Sequence, residues 1–171
     1  MLQLLRAFLD ICLLRRRPQD LPASMFLLYL TLAGHLLTGL LVSLASHPPA
    51  SALLLGLSDT LLLVGLTASL LYVNQLQARF QQTLTALAGS GTLLSLVALP
   101  LTFWWFALRA VGEDPTMPAV LLLVIVVWSL VVMGHILRHA LSAPLIIGLV
   151  VAVIFYWIAV SVQNAFFPLS S

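Results

Sequence analysis

Five apolar stretches, each roughly 20 residues long and separated by short polar breaks, constrain this chain more than any other feature of its sequence. A helix needs about 20 apolar residues to cross a hydrocarbon core of about 30 Å. Because no water reaches the backbone there, each stretch is expected to satisfy its own hydrogen bonds as a transmembrane helix. The predicted spans cover residues 25–46, 52–73, 84–108, 118–138 and 143–167.

Composition supports the same fold class and excludes several others. The chain is 62% hydrophobic and 7% charged, whereas soluble domains carry about 25% charged residues. Its seven basic residues are all arginines, and they are too dispersed to form the basic face that nucleic-acid binding requires. The single cysteine, Cys12, excludes an intramolecular disulfide framework and a thiolate metal cluster. The sequence therefore predicts an all-α integral membrane protein.

The chain divides into a short N-terminal segment and a membrane domain. Residues 1–22 contain an apolar stretch with polar residues at helical spacing, followed by two prolines, which is typical of an amphipathic interfacial helix and a linker. Residues 23–171 are expected to form a domain of five transmembrane helices. Arg15, Arg16 and Arg17 lie in the first part, just before its two prolines, and are expected to contact anionic headgroups, at about 1 kcal/mol for each arginine.

The positions of the arginines predict the orientation of the chain. With a cytoplasmic N-terminus, six of the seven arginines lie on the inner side, and only Arg109 lies outside. Five spans then bring the C-terminus to the other side. We therefore expect an inner-membrane protein with its N-terminus in the cytoplasm and its C-terminus in the periplasm.

Asp59 is the most unusual residue, because it lies inside the second span among leucines. A carboxylate there costs about 2.5 to 3.5 kcal/mol on insertion scales, and such residues are functional candidates by default. The first two spans must form a hairpin, whose register places Asp59 level with Thr38 and one turn from His35. Three interpretations remain open: a structural hydrogen bond, a proton relay with His35, and local capping at a helix break.

His135 and His139 are four residues apart in the fourth span and could face one side of a helix. The chain has too few histidines and acids for a membrane metal enzyme, and it contains no HExxH motif. We therefore interpret His135, Arg138 and His139 as the cytoplasmic end of the helix, in contact with headgroups. No metal, no cofactor and no catalytic residue is predicted, and the chain is not expected to be an enzyme.

Small residues recur on the third span. Ala88, Gly91 and Ser95 lie at helical spacing, as in helices that approach one another closely. This face is the best candidate for an internal helix contact or for the seam of a dimer.

Two stretches resemble the Ypt-interacting-protein (Yip) family of five-span membrane proteins. FQQTLTALAGSGTLLSLVALPL, residues 80–101, is similar to that family's third span with its closing proline. VWSLVVMGHILRHALSAPLIIGLVVAVIF, residues 127–155, is similar to its fourth and fifth spans. The resemblance implies a non-enzymatic role in membrane organisation or trafficking through protein partners, which in eukaryotic members include Rab GTPases. Leucine-rich spans, arginine without lysine and short loops favour a bacterial branch of the family.

The sequence thus predicts a non-enzymatic partner of other membrane proteins or lipids, acting in interaction, assembly or membrane organisation. The expected partners are a bilayer with anionic headgroups and either another membrane protein or a second copy of the chain, but no nucleic acid. The alternative is a small transporter or a proton-coupled channel subunit that uses Asp59 and His35.

Overall fold

The computed structural model describes residues 2–166, which fold into six α-helices joined by short connections. Five of the helices are long and apolar enough to cross a membrane, so the protein is an all-α integral membrane protein. Single helical turns at Pro18–Asp20 and Gln77–Arg79 precede the first and third of these five. The helices are α1 (Leu2–Cys12), α2 (Met25–Ser43), α3 (Pro49–Val73), α4 (Phe80–Ala110), α5 (Thr116–Leu141) and α6 (Leu145–Phe166).

The spans agree with the predicted ones, and they differ at their ends. Helix α2 ends at Ser43 rather than at residue 46, because the next residues form a turn before Pro48. Helix α4 continues from Phe80 through Pro100 to Ala110, so the proline lies inside the span and does not end it. The predicted end of the last span, residue 167, lies outside the described residues.

The five long helices run alternately up and down, and their neighbours form a closed order: α2, α3, α6, α5, α4 and back to α2. Helix α2 packs extensively on α3 and α4, and α5 packs extensively on α6. Helices α3 and α6 contact each other only sparsely, so that the seam between them is the loosest part of the ring. We call the end of the bundle that holds Arg17, Arg79 and Arg138 the arginine end, and the end that holds the α2–α3 and α4–α5 loops the opposite end.

Glycines allow the tightest helix crossings. A methyl group added at Gly148 of α6 would collide with the carbonyl oxygen of Gly134 in α5. A methyl group at Gly56 of α3 would lie 3.2 Å from the carbonyl oxygen of Leu36 in α2. Both pairs of helices therefore meet backbone to backbone, as small residues permit in membranes.

The two halves of the bundle differ in packing. In α4, residues 83–90 at the arginine end are all buried, whereas no residue from 91 to 110 is buried. In α6, the buried residues Gly148, Ala152 and Phe155 also lie toward the arginine end. The arginine half is thus a close-packed core, and the opposite half is looser.

The N-terminal helix α1 packs on the protein's own bundle. One face, formed by Ala7, Phe8, Ile11 and Cys12, is buried, and the ring of Phe8 lies against Gly89 of α4. Trp128 of α5 donates a hydrogen bond from Nε1 to the carbonyl oxygen of Cys12 at 3.1 Å. Burial raises the pKa of the Cys12 thiol to about 11, so the thiol stays protonated.

Candidate functional site

The predicted polar pair is joined directly. His35 Nε2 lies 3.0 Å from Asp59 Oδ2, so that an α2 side chain meets an α3 side chain across the first hairpin. Asp59 lies ten residues after the start of α3, which places it about 15 Å along the helix axis from the opposite end. The His35 side chain is 14% exposed and the Asp59 side chain is 35% exposed. The carboxylate is therefore less enclosed than its histidine partner.

A third side chain completes the site. Gln163 of α6 donates a hydrogen bond from Nε2 to Asp59 Oδ1 at 3.2 Å. Each carboxylate oxygen thus has one side-chain donor, and the three groups come from three different helices. The sequence indicated only that Gln163 lies near the end of its span, since no local pattern links two residues that are 104 positions apart.

Thr38 does not take the role expected of it. Its hydroxyl donates to the carbonyl oxygens of Gly34 and His35 at 3.0 and 3.1 Å, within its own helix. A threonine hydroxyl inside a helix commonly finds a carbonyl three or four residues earlier, and this local bond leaves no donor for Asp59. The pair predicted as Asp59 with His35 or Thr38 is therefore Asp59 with His35.

The small-residue face of α4 holds the histidine ring in place. A methyl group added at Gly91 would lie 3.0 Å from His35 Nδ1 and 3.2 Å from its Cε1, so the ring packs on the bare backbone. Ala88, one turn away, is fully buried, and Ser95 faces the interior near Asp59. All three small residues thus serve contacts within the bundle.

The free nitrogen of the ring indicates the proton's position. His35 Nδ1 is buried and has no hydrogen-bond partner within residues 2–166. Against an ionised carboxylate, which can only accept, Nε2 is the donor of the bond to Asp59. The unpartnered Nδ1 is then a lone pair rather than an N–H group.

Cavities lie on both sides of Asp59. A cavity of about 110 Å³ at the seam of α3 and α6 is lined mainly by apolar side chains, including Leu62, Leu66 and Phe155, together with His35 and Asp59. A second cavity, of about 200 Å³, lies inside the bundle and is lined by Asp59, Gln163, Ser43 and Ser95 among others. Asp59 belongs to the walls of both cavities.

A third cavity continues from the second toward the opposite end. It measures about 250 Å³ and shares Ser43 and Gln163 with the second cavity. Ser46, His47 and Asn164 line it as well, so its walls are rich in hydroxyl, imidazole and amide groups. Polar groups therefore follow one another from the end of the bundle to the carboxylate.

The arginine end has its own polar network, which ties the N-terminal segment to the bundle. His135 is buried, at 4% exposure, and its Nε2 donates to the carbonyl oxygen of Arg16 at 3.1 Å. This burial does not fit the expectation that His135 contacts headgroups, because its donor is used inside the protein. Arg138 and His139 lie in the last turn of α5 and are half-buried.

The predicted headgroup contacts, Arg15, Arg16 and Arg17, differ in exposure. Arg15 and Arg17 are exposed, and Arg16 is half-buried. A separate arginine, Arg79, donates to the carbonyl oxygen of Ala140 at 2.8 Å and to Ser142 Oγ at 2.7 Å, at the end of α5. It thus places a cation at the negative end of the helix dipole.

His135 and His139 are near each other but do not form a metal site. Their rings pack edge to face with centroids 4.7 Å apart. Within residues 2–166, no group of three His, Cys, Asp or Glu side chains is placed to hold an ion.

Comparison of the chain with family models, with curated proteins and with solved structures finds no match.

Proposed function

We propose that the protein is a small proton-coupled membrane protein, a transporter or a channel subunit, in which Asp59 and His35 bind the proton. One observation carries this proposal: the Asp59 carboxylate holds His35 and Gln163 with one oxygen each, and it lines cavities on both sides. A purely structural acid would be enclosed by its partners. Intramembrane acids that border cavities are typical of proton and ion pathways.

Charge accounting explains why this pair would exchange protons. With His35 neutral and Asp59 ionised, the pair carries one negative charge inside an apolar bundle. Uptake of one proton gives either a carboxylic acid beside a neutral imidazole or a carboxylate beside an imidazolium, and both have zero net charge. Because an unbalanced charge is costly in a low dielectric, exchange of this proton requires access to water or to another cation.

Gln163 would couple this proton to the arrangement of the helices. Its amide N–H donates to Asp59 Oδ1, an oxygen that becomes a donor if the proton binds there. Gln163 must then turn its amide or leave the carboxyl group. This hydrogen bond is one of the few contacts that join the sparsely packed helices α3 and α6. Proton binding would therefore change a contact across this seam.

The test is proton flux into liposomes that contain the purified protein. Asp59→Asn cannot bind a proton, yet it can accept from His35 and donate to a turned Gln163, so the fold should persist. We expect wild type to dissipate an imposed pH gradient, Asp59→Asn to fall to the rate of empty liposomes, and Asp59→Glu to retain part of the flux. Asp114→Asn, in the exposed α4–α5 loop, is the matched control and should behave as wild type. Undiminished flux in Asp59→Asn would contradict the proposal.

A second candidate is the membrane-organising role that the Yip resemblance implies. It is favoured by the docked N-terminal segment, which presents the exposed side chains of Arg15 and Arg17 on a fixed support. The test is purification of the tagged protein in mild detergent from its native membrane. A stoichiometric membrane protein whose recovery falls when Arg15 and Arg17 are replaced by glutamine would support this role. Equal recovery of that membrane protein with the wild type and with the variant that lacks Arg15 and Arg17 would count against this role.

For the location we propose a bacterial inner membrane with the arginine end in the cytoplasm. Six of the seven arginines lie at that end or in the segment docked on it, and this distribution is typical of cytoplasmic loops. Single cysteines at Ala78, in the α3–α4 connection, and at Glu113, in the α4–α5 loop, test the orientation. An impermeant thiol reagent should label Glu113→Cys in intact spheroplasts and Ala78→Cys only after lysis, and the reverse pattern would refute it.

A further inference from the structure

We infer that the opposite half of the bundle encloses a water-filled half-channel, which admits water and protons to Asp59 from the opposite end while the arginine half is closed. The inference rests on the proposed function, because the half-channel leads to the same carboxylate. It adds the side from which the site exchanges protons in the conformation described here.

The two inner cavities supply the path. Together they run from Ser46 and Asn164, near the opposite end, to Ser95 and Asp59 in the interior. Their volumes of about 200 and 250 Å³ hold several water molecules at about 30 Å³ each. A water in such a space needs two to four polar partners, and the serine, amide and carboxylate groups of the walls provide them.

The path ends at the His35–Asp59 pair. The cavity beyond it, at the α3–α6 seam, is smaller, at about 110 Å³, and most of its lining is apolar. Because most of its wall is apolar, this cavity offers water few partners besides the His35–Asp59 pair itself. A polar cavity of about 320 Å³, lined by Arg17, Asp20 and Arg79 among others, lies at the arginine end and shares no lining residue with the seam cavity.

The arginine half closes the other side. Residues 83–90 of α4 are all buried, and Val132, Ile136 and Leu137 of α5 are at most 1% exposed. Helix α1 adds a further layer, because Phe8 packs on Gly89 near the end of the buried stretch of α4. Ser90 and Thr85 in this half donate to carbonyl oxygens of their own helix at 2.7 Å, whereas the buried hydroxyl of Thr67 has no partner within residues 2–166.

Cysteine accessibility along α4 tests the half-channel. In a Cys12→Ser background, single cysteines replace Ser95 in the cavity wall, Ser90 in the buried stretch, and Val97 on the lipid-facing side, which is 58% exposed. The probe is an impermeant cationic methanethiosulfonate, added to each side of vesicles whose orientation is read from Ala78→Cys and Glu113→Cys. The reagent reacts with the thiolate, which forms only where the sulfur is in contact with water. A cysteine at position 95 should therefore react about tenfold or more faster than a cysteine at position 90 or 97.

The expected reaction also depends on the side of the membrane that holds the reagent. A cysteine at position 95 should react only when the reagent is on the side that labels Glu113→Cys. Protection of position 95 from both sides, or equal rates at positions 95 and 97, would overturn the half-channel. Reaction of position 90 from the arginine side would overturn the closed half.

These readouts separate the inference from the proposed function. A reactive cysteine at position 95 in a protein without Asp59-dependent proton flux would keep the half-channel and refute the proton-coupled function. Asp59-dependent flux with a protected cysteine at position 95 would keep the proton-coupled function and refute the half-channel. Serine-to-cysteine changes at positions 90 and 95 are nearly isosteric, and retention of α-helical circular dichroism and of the monodisperse elution volume confirms that each variant folds.

Discussion

The hydrogen bond between Gln163 and Asp59 should link α6 to α3 energetically, and a double-mutant cycle measures that link. Asp59→Leu and Gln163→Met remove the acceptor and the donor with little change in side-chain volume. Gln163→Met leaves Asp59 Oδ1 without a side-chain donor, and Asp59→Leu leaves both Gln163 and His35 without the carboxylate. The loss at His35 is the same in Asp59→Leu and in the double variant, so it cancels in the cycle. The cycle therefore isolates the pairwise free energy from the cost of each substitution alone.

The magnitude follows from the geometry of the bond. Interhelical hydrogen bonds in membrane proteins average about 0.6 kcal/mol and reach about 1.7 kcal/mol. At 3.2 Å the bond is not short, but its acceptor is a carboxylate oxygen, and hydrogen bonds to an ionised group are roughly twice as strong as neutral ones. We therefore expect a coupling free energy of about 1 kcal/mol, a factor of about 5 in the unfolding equilibrium constant.

The assay is reversible unfolding of the bundle in mixed micelles, with the free energy of unfolding compared across the four proteins of the cycle. Asn164→Leu supplies the matched control, because Asn164 is the neighbouring amide, is exposed, and makes no hydrogen bond to Asp59. Its coupling to Asp59→Leu should lie within about 0.3 kcal/mol of zero. If the coupling at position 163 is no larger than that at position 164, the hydrogen bond does not join the two helices and the account of the seam is wrong.

Two further predictions concern parts of the chain outside the site. Gly89→Ala should push α1 off the bundle and return the pKa of Cys12 from about 11 toward 9.0, so that alkylation of the thiol near pH 8 accelerates about a hundredfold. The control is Gly65→Ala, because no atom lies within 4 Å of a methyl group added at that position. Equal alkylation rates in the two variants would refute the docking of α1. Hydrogen bonds from the side chain and backbone of Thr116 lower the pKa of Asp114 below its ordinary 3.8, so its contribution to the start of α5 is present above pH 3.8 and is lost as the pH falls through the lowered value. Thr116→Val should raise that pKa in an NMR titration, and an unchanged pKa would show that the side-chain bond is unimportant.

The sequence was sufficient for the number of spans, because each apolar stretch is long enough to cross a bilayer and the breaks between them are short. The sequence was less reliable in predicting the residues at which each helix begins and ends. The third span, predicted as residues 84–108, begins at Phe80 and runs through Pro100 to Ala110. A proline in a membrane helix is tolerated where neighbouring groups satisfy the freed carbonyl, and this depends on tertiary packing that a single sequence does not reveal.

The sequence also predicted one part of the candidate site and missed another. The hairpin register placed His35 within a turn of the level of Asp59, because a short loop fixes two helices relative to each other. Gln163 was missed, since the angle and register between α3 and α6 depend on every helix between them. The burial of His135 was missed for a related reason: its partner is a backbone carbonyl of the N-terminal segment, 119 residues away. Local spacing predicts polar pairs within a hairpin and says nothing about partners across the ring.

The docking of α1 has a consequence for the order in which the protein folds. The hydrogen bond from Trp128 joins this helix to a residue 116 positions later in the chain, and the bond from His135 to Arg16 spans a similar distance. Helix α1 is synthesised before α5, so its docking surface is incomplete until α5 has entered the membrane. This helix is thus among the last to reach its native contacts, and until then its apolar face is expected to rest on lipid or on the insertion machinery. A truncated nascent chain that ends before α5 should therefore leave Cys12 reactive, and one that extends past α5 should protect it.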